Sequence, residues 1–240
     1  MPSIIGGQIE QESCISLTHS RCWNPNVELK TSREYGFGLG QITIAKDKFG
    51  KVRFNNFDEA KRMFPSALKE WKWEDRFDPS YQMTAMVLMD RNLYNKVQSL
   101  TPRESDQLAF MLAAYNGGTG GLLQDRKLCE GSKGCDPTKW FGHVAANSFK
   151  NKIKLPGYGE SAFDINRGYV DQIMNKRRLK YVPYMEKYVI PVPPLVIPKP
   201  VHIPIVLEKM EMPKKPVAPK VVQKKSQRNK LAPWVFKKPS

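Results

Sequence analysis

Several features are scarce in this 240-residue chain, and each scarcity narrows what the protein does. No run of about 18 uninterrupted apolar residues occurs, so no transmembrane helix is expected. There are three histidines and four cysteines, and the cysteines fall into two close pairs, Cys14/Cys22 and Cys129/Cys135. Neither pair has the CxxC spacing of a thiolate metal site, which weighs against structural zinc, and no metal or other cofactor is expected. Two readings of the cysteines stay open: short disulfide-closed loops or buried free thiols. Acidic residues number 23 against 39 Lys and Arg, a formal charge of +16. Such a basic balance steers a protein toward anionic polymers. Nucleic acid would fit the charge, but there is no zinc-finger spacing, RNP-like motif or helix-turn-helix, so no specific nucleic-acid partner is expected. Met1-Pro2-Ser3-Ile4-Ile5 has no basic region followed by a long apolar stretch, so no secretory signal is expected.

What is present divides the chain in two. Over residues 1–181 the balance of charged and apolar residues suits a globular, mostly α-helical domain. Residues 182–240 hold twelve of the 19 prolines and +9 of the net charge, so this segment reads as an extended Pro/Lys-rich tail of polyproline II character. Its Val/Ile content, and Trp234 and Phe236 among lysines, suggest a protein or membrane-surface partner. A disordered, solubilising tail is the other reading.

Within 1–181 the helical signals are specific. Ile5, Ile9 and Glu12 are spaced i, i+4, i+7, which places a carboxylate at the end of an apolar helical face. Burial there would raise its pKa and let it act as a general acid. Glu10 should point to a different face. Residues 17–35 read as a polar, irregular excursion. Phe57 to Trp73 has helical spacing broken at Pro65, and Asp78-Pro79 starts a helix whose Met83, Met86, Val87 and Leu88 face inward. Thr101 and Glu104 have the spacing of a capping box opening a helix that ends at Tyr115-Asn116, where Gly117-Gly118 stop it. Residues 119–161 look loop-rich, with Trp140-Phe141 as packing or sugar-stacking groups. Asp164 to Lys180 returns to helix, with Tyr169, Ile173 and Leu179 inward and Lys176-Arg177-Arg178 outward.

Three stretches carry a likeness: Glu12-Ser13, then Gly36-Phe37-Gly38-Leu39-Gly40-Gln41-Ile42, then Ala114-Tyr115-Asn116-Gly117-Gly118, followed later by Tyr169-Val170. In that order they resemble the lytic transglycosylase and goose-type lysozyme superfamily over roughly residues 3–180. The resemblance implies a lysozyme-like α-helical domain with a small loop or β element at its cleft. It also implies peptidoglycan glycan strands as substrate, cut at the β-1,4 bond between N-acetylmuramic acid and N-acetylglucosamine. By position Glu12 matches the family's catalytic acid. Ser13, Gly38, Leu39, Gln41, Ile42, Tyr115, Asn116 and Tyr169 match positions that line the substrate cleft. Where the family carries an acid four residues before the last tyrosine, this chain has Ile165, with Asp164 one earlier.

The family's transglycosylases use one glutamate and leave a 1,6-anhydro ring. A hydrolytic muramidase needs a second carboxylate to hold water, and two carboxylates usually flank a hydrolysed glycosidic bond. Thr43 stands where goose-type relatives place one such acid, which leaves Glu28 and Glu34 as possible bases. The expectation is therefore a lyase, with a hydrolase as runner-up and a non-catalytic wall-binding or structural module as a further alternative. With no signal expected, routes to the cell wall are release by a phage holin, carriage in a virion, or a start that is missing. A bacterial enzyme opening the wall for secretion or conjugation is another setting.

Overall fold

A computed structural model describes residues 2–150, 152–154 and 159–185, all within one compact unit. The fold is mostly α-helical with one small four-stranded antiparallel sheet. Helix α1 (Pro2–Ser13) opens it and is followed by strands β1 (Glu28–Lys30), β2 (Glu34–Phe37), β3 (Ile42–Lys46) and β4 (Val52–Asn55). The strands pair in sequence order, with Glu28 opposite Phe37 and Phe37 opposite Ile42. The excursion read as irregular over 17–35 thus contains one strand and the start of another. Period-2 alternation cannot register in strands of three and four residues.

The sheet buries Phe37 and Ile42 against Phe57 and Ala60 of α2 (Asn56–Met63), Leu68 of α3 (Pro65–Leu68), and Trp71. Pro65 separates α2 from α3, as its missing N–H requires. Asp78 caps α4 (Pro79–Val97) by accepting from Ser80 N at 2.7 Å, with Pro79 in the first turn. Met86 is buried on α4, whereas Val87 faces solvent, 42% exposed, against expectation.

The central helix is α5 (Glu104–Gly117), which is apolar all round and buries Leu108 through Ala114 among its neighbours. It begins later than the capping-box reading placed it. Thr101 is buried and its hydroxyl accepts from Arg103 N, so the chain turns once before Glu104 begins the helix. Gly118, with φ of +77°, ends it. Residues 119–161, read as loop-rich, contain a full helix, α6 (Thr119–Glu130), whose Leu122, Asp125 and Cys129 face inward. Trp140 packs edge-on against Phe110 in the core, while Phe141 is exposed.

Both cysteine pairs are disulfides, Cys14–Cys22 and Cys129–Cys135, which decides between the two sequence readings. Helix α7 (Ala162–Gln172) starts at a capping box formed by Ser161 and Asp164, then widens into a π turn (Ile173–Arg177) and a 3-10 turn (Arg178–Lys180). Leu179, expected inward, is exposed; Arg177, expected outward, reaches inward to Glu10. A four-residue helix, α8 (Val182–Met185), occupies the first residues of the segment read as an extended tail. The remainder of that segment, with its partner-binding readings at Trp234 and Phe236, lies outside the described residues.

Candidate active site

Helix α1 sits against the 178–181 turn because two of its residues are glycine. A Cβ on Gly6 would overlap the Tyr181 ring at 2.7 Å, and one on Gly7 would meet Arg178 N at 2.9 Å. This close approach puts the C-terminal turn of α1 beside α7, and with it two glutamates of opposite character.

Glu10 is buried, which by itself pushes its pKa up, but Lys180 and Tyr181 hydrogen-bond it and Arg177 lies 2.5 Å away. Together they hold it below the ordinary carboxylate value, charged and ion-paired. Glu12 is two residues on, about 200° round the helix, and meets no cation among the described residues. Burial pushes its pKa from the usual 4.5 up to about 8; the hydrogen bond from Tyr169 opposes this in part, and the nearby Asp90 carboxyl adds to it. At neutral pH, Glu12 is therefore a protonated acid, and Glu10 is a fixed anion.

A chain of aromatic contacts fixes Glu12. Tyr169 Oη donates to Glu12 Oε1 at 2.6 Å. The Tyr169 ring stacks on Tyr115, with centroids 6.3 Å apart and planes 7° from parallel. Tyr115 Oη in turn donates to Gly40 O at 2.9 Å. Burial drives both phenols well above their usual pKa, so they remain donors throughout the working pH range.

Glu12 opens onto a cavity of about 230 Å³ lined also by Ser13, Leu29, Asn116, Glu160, Asp164 and Tyr169. Asn116 is fully buried. Its Oδ1 accepts from Asn166 Nδ2 at 2.9 Å, while its own Nδ2 has no partner among the described residues. A donor left unsatisfied in a cavity wall is poised for an acceptor on a ligand.

Other residues singled out from the sequence have different roles. Ser13 touches the cavity, but its hydroxyl donates to Ile9 O at 2.8 Å and accepts from Trp23 N at 3.1 Å, tying the excursion to α1. Gly38, with φ of +75°, has no room for a Cβ because the Gln82 amide fills that space. Leu39 is buried with Ile9 and Met86, and its N–H donates to Gln82 Oε1 at 2.9 Å. Gln41 is 1% exposed, and its amide donates to Gly38 O at 2.9 Å. The glycine-rich stretch, whose residues match cleft-lining positions of the family, is packed on α4 through Gly38 and Leu39 and is linked to the Glu12 site by the Gly40–Tyr115 bond. Gln41 and Ile42 border a separate cavity of about 170 Å³ that Tyr115 also lines.

The candidate bases do not converge on Glu12. Leu29 of β1 faces the cavity, and alternation turns Glu28 away. There Tyr35 donates to it at 2.5 Å, a bond that lowers its pKa against the smaller effect of burial. Glu34 begins β2 and is absent from the cavity wall. The carboxylates that do border the cavity with Glu12 are Glu160 and Asp164, which sequence reading did not select. Asp164 is held by Ser161 Oγ at 2.6 Å. Sequence reading also missed Gln82, which binds three backbone segments from α4, and Asn166, which orients Asn116.

No protein-family model matches the chain, and no curated protein matches it.

Proposed function

We propose that the protein is a peptidoglycan lytic transglycosylase with a lysozyme-like catalytic domain and Glu12 as its single catalytic residue. The observation that carries the reading is Glu12 itself: a buried, neutral carboxyl at a cavity wall, held by the Tyr169 hydroxyl at 2.6 Å. In the reaction, Glu12 donates its proton to the glycosidic oxygen as the muramic C1–O bond breaks, so the leaving sugar departs with a hydroxyl. The muramic C6 hydroxyl then attacks C1 and gives its proton to the Glu12 carboxylate. The products are a 1,6-anhydro ring and a restored acid, and no water is consumed. The oxocarbenium-like charge at C1 is met by the new Glu12 carboxylate, and the Asn116 amide is available for the substrate's N-acetyl oxygen.

The orientation of Glu28 toward Tyr35 favours this route over hydrolysis, because the cavity then lacks that base. A hydrolytic muramidase is the second reading, favoured by Glu160 and Asp164 in the same wall. Action on the bacterial wall is part of the same proposal, in the setting of a phage lysin, a virion-borne enzyme or a bacterial enzyme that opens the wall for secretion or conjugation. The test is clearing of purified Gram-negative sacculi. The wild type should clear them and Glu12→Gln should not; equal clearing by both would remove Glu12 from the role. Clearing by neither would favour a wall-binding module. Loss of activity in Glu160→Gln, together with water incorporated into the wild-type product, would favour hydrolysis.

A further inference from the structure

Behind Glu12 lies a second buried carboxyl that the proposed chemistry does not use. Asp90, on α4, is 1% exposed, and Gln8, one turn before Glu12 on α1, is fully buried. Gln8 Nε2 donates to Asp90 Oδ1 at 3.3 Å. The two remaining oxygens of this pair, Gln8 Oε1 and Asp90 Oδ2, are both buried and without a partner among the described residues. An ionised carboxylate and an amide oxygen are both acceptors, so neither can satisfy the other. One proton on Asp90 Oδ2 makes it a donor, and the amide and acid then complement each other at both edges.

We infer that Asp90 is held as a neutral carboxylic acid that donates from Oδ2 to Gln8 Oε1, closing a two-bond ring that locks the helix bearing Glu12 onto α4. Asp90 is thus a positioning residue for Glu12. The surroundings agree with a neutral group. The titratable groups that feel Asp90 are Glu12 on α1, Tyr115 on α5 and Tyr169 on α7, and none is a cation. On α4 itself the adjacent Arg91 is exposed. Burial, opposed only by the Gln8 hydrogen bond, pushes the Asp90 pKa from 3.8 up to about 7.

The positioning role rests on Glu12 being the general acid; the protonation of Asp90 does not, and the two are tested separately. In the full chain labelled with ¹³C-aspartate and assigned through the backbone, the Asp90 carboxyl carbon should keep its neutral chemical shift at pH 5. It should titrate with a midpoint of about 7. An ionised shift at pH 5 overturns the inference, and this needs no substrate. With sacculi at pH 6, Asp90→Asn preserves a two-bond ring and should keep kcat within roughly twofold. Asp90→Ala strands Gln8 and should lower kcat by about tenfold or more with little change in KM. Equal loss in the two variants, or no loss in either, would contradict positioning through the neutral pair. Should neither wild type nor variants act on sacculi, the substrate reading fails while the titration still decides the state of Asp90.

Discussion

Replacing Glu12 by Gln should remove activity and at the same time stabilise the fold, increasingly so as pH rises. Glu12 titrates at about 8 in the folded chain, against an ordinary 4.5. The folded state therefore holds this proton more tightly than the unfolded state. Its stabilising effect is complete below about pH 4.5 and is lost as pH rises through about 8. Once both states are ionised, burying the charge costs about 5 kcal/mol, at about 1.4 kcal/mol for each tenfold change in proton affinity. Between pH 5 and pH 7 alone, the wild type should lose about 2–3 kcal/mol relative to Glu12→Gln. The glutamine is neutral at every pH and can still accept the Tyr169 hydrogen bond through its oxygen. For a domain of this size the difference corresponds to roughly 5–10 °C in melting temperature. Thermal unfolding of both proteins from pH 5 to pH 8.5 reads this directly. Asp90, which titrates at about 7, is present in both proteins, so its own contribution largely cancels in the comparison. A constant gap between the two melting curves across that range would refute the reasoning, because it would mean that Glu12 ionises near its ordinary value.

Three further outcomes follow from the same geometry. Tyr169→Phe removes a hydrogen bond that lowers the Glu12 pKa, so the alkaline limb of the pH–rate profile should move above its wild-type position at about 8, with kcat down by roughly tenfold. An unmoved limb would mean that Tyr169 does not tune the acid. Asn116→Asp keeps the acceptor used by Asn166 but loses the unpartnered amide donor; at neutral pH KM should rise or kcat fall by about tenfold, and burial of the new carboxyl should lower the melting temperature there. Replacing both Cys14 and Cys22 by Ser opens a loop with a sequence separation of 8 that begins just after α1, and should cost about 2–3 kcal/mol in chemical denaturation.

Glu12 was legible because its signal is local: the i, i+4, i+7 spacing from Ile5 records an apolar face, and the structure buries Ile9 and Glu12, and Ile5 in part. The Asp78-Pro79 start and the Pro65 break were legible for the same reason, since capping and proline geometry act within one turn. Asp90 gave no such signal. It sits between Met89 and the exposed Arg91, and the partner that explains its burial is 82 residues away. Arg177 belongs to a basic run that reads as a solvated face; it turns inward because Glu10, 167 residues earlier, is buried and requires a counter-charge. The protein partners of the glycine-rich stretch were not legible: Gln82 fills the space beside Gly38 and accepts from Leu39 N, and the Tyr115 hydroxyl bonds Gly40 O, from 43 and 75 residues further along the chain. Helix α6 was masked by Gly120-Gly121, although Leu122, Asp125 and Cys129 carry a helical spacing just beyond them.

The central claim is that one buried acid cleaves the glycan strand without water. The most direct measurement is mass spectrometry of the muropeptides released from purified peptidoglycan by the wild type and by Glu12→Gln. The account predicts wild-type products ending in 1,6-anhydromuramic acid, one water lighter than hydrolysis products, and no products from the variant. Reducing-end products from the wild type, or anhydro products from Glu12→Gln, would contradict it.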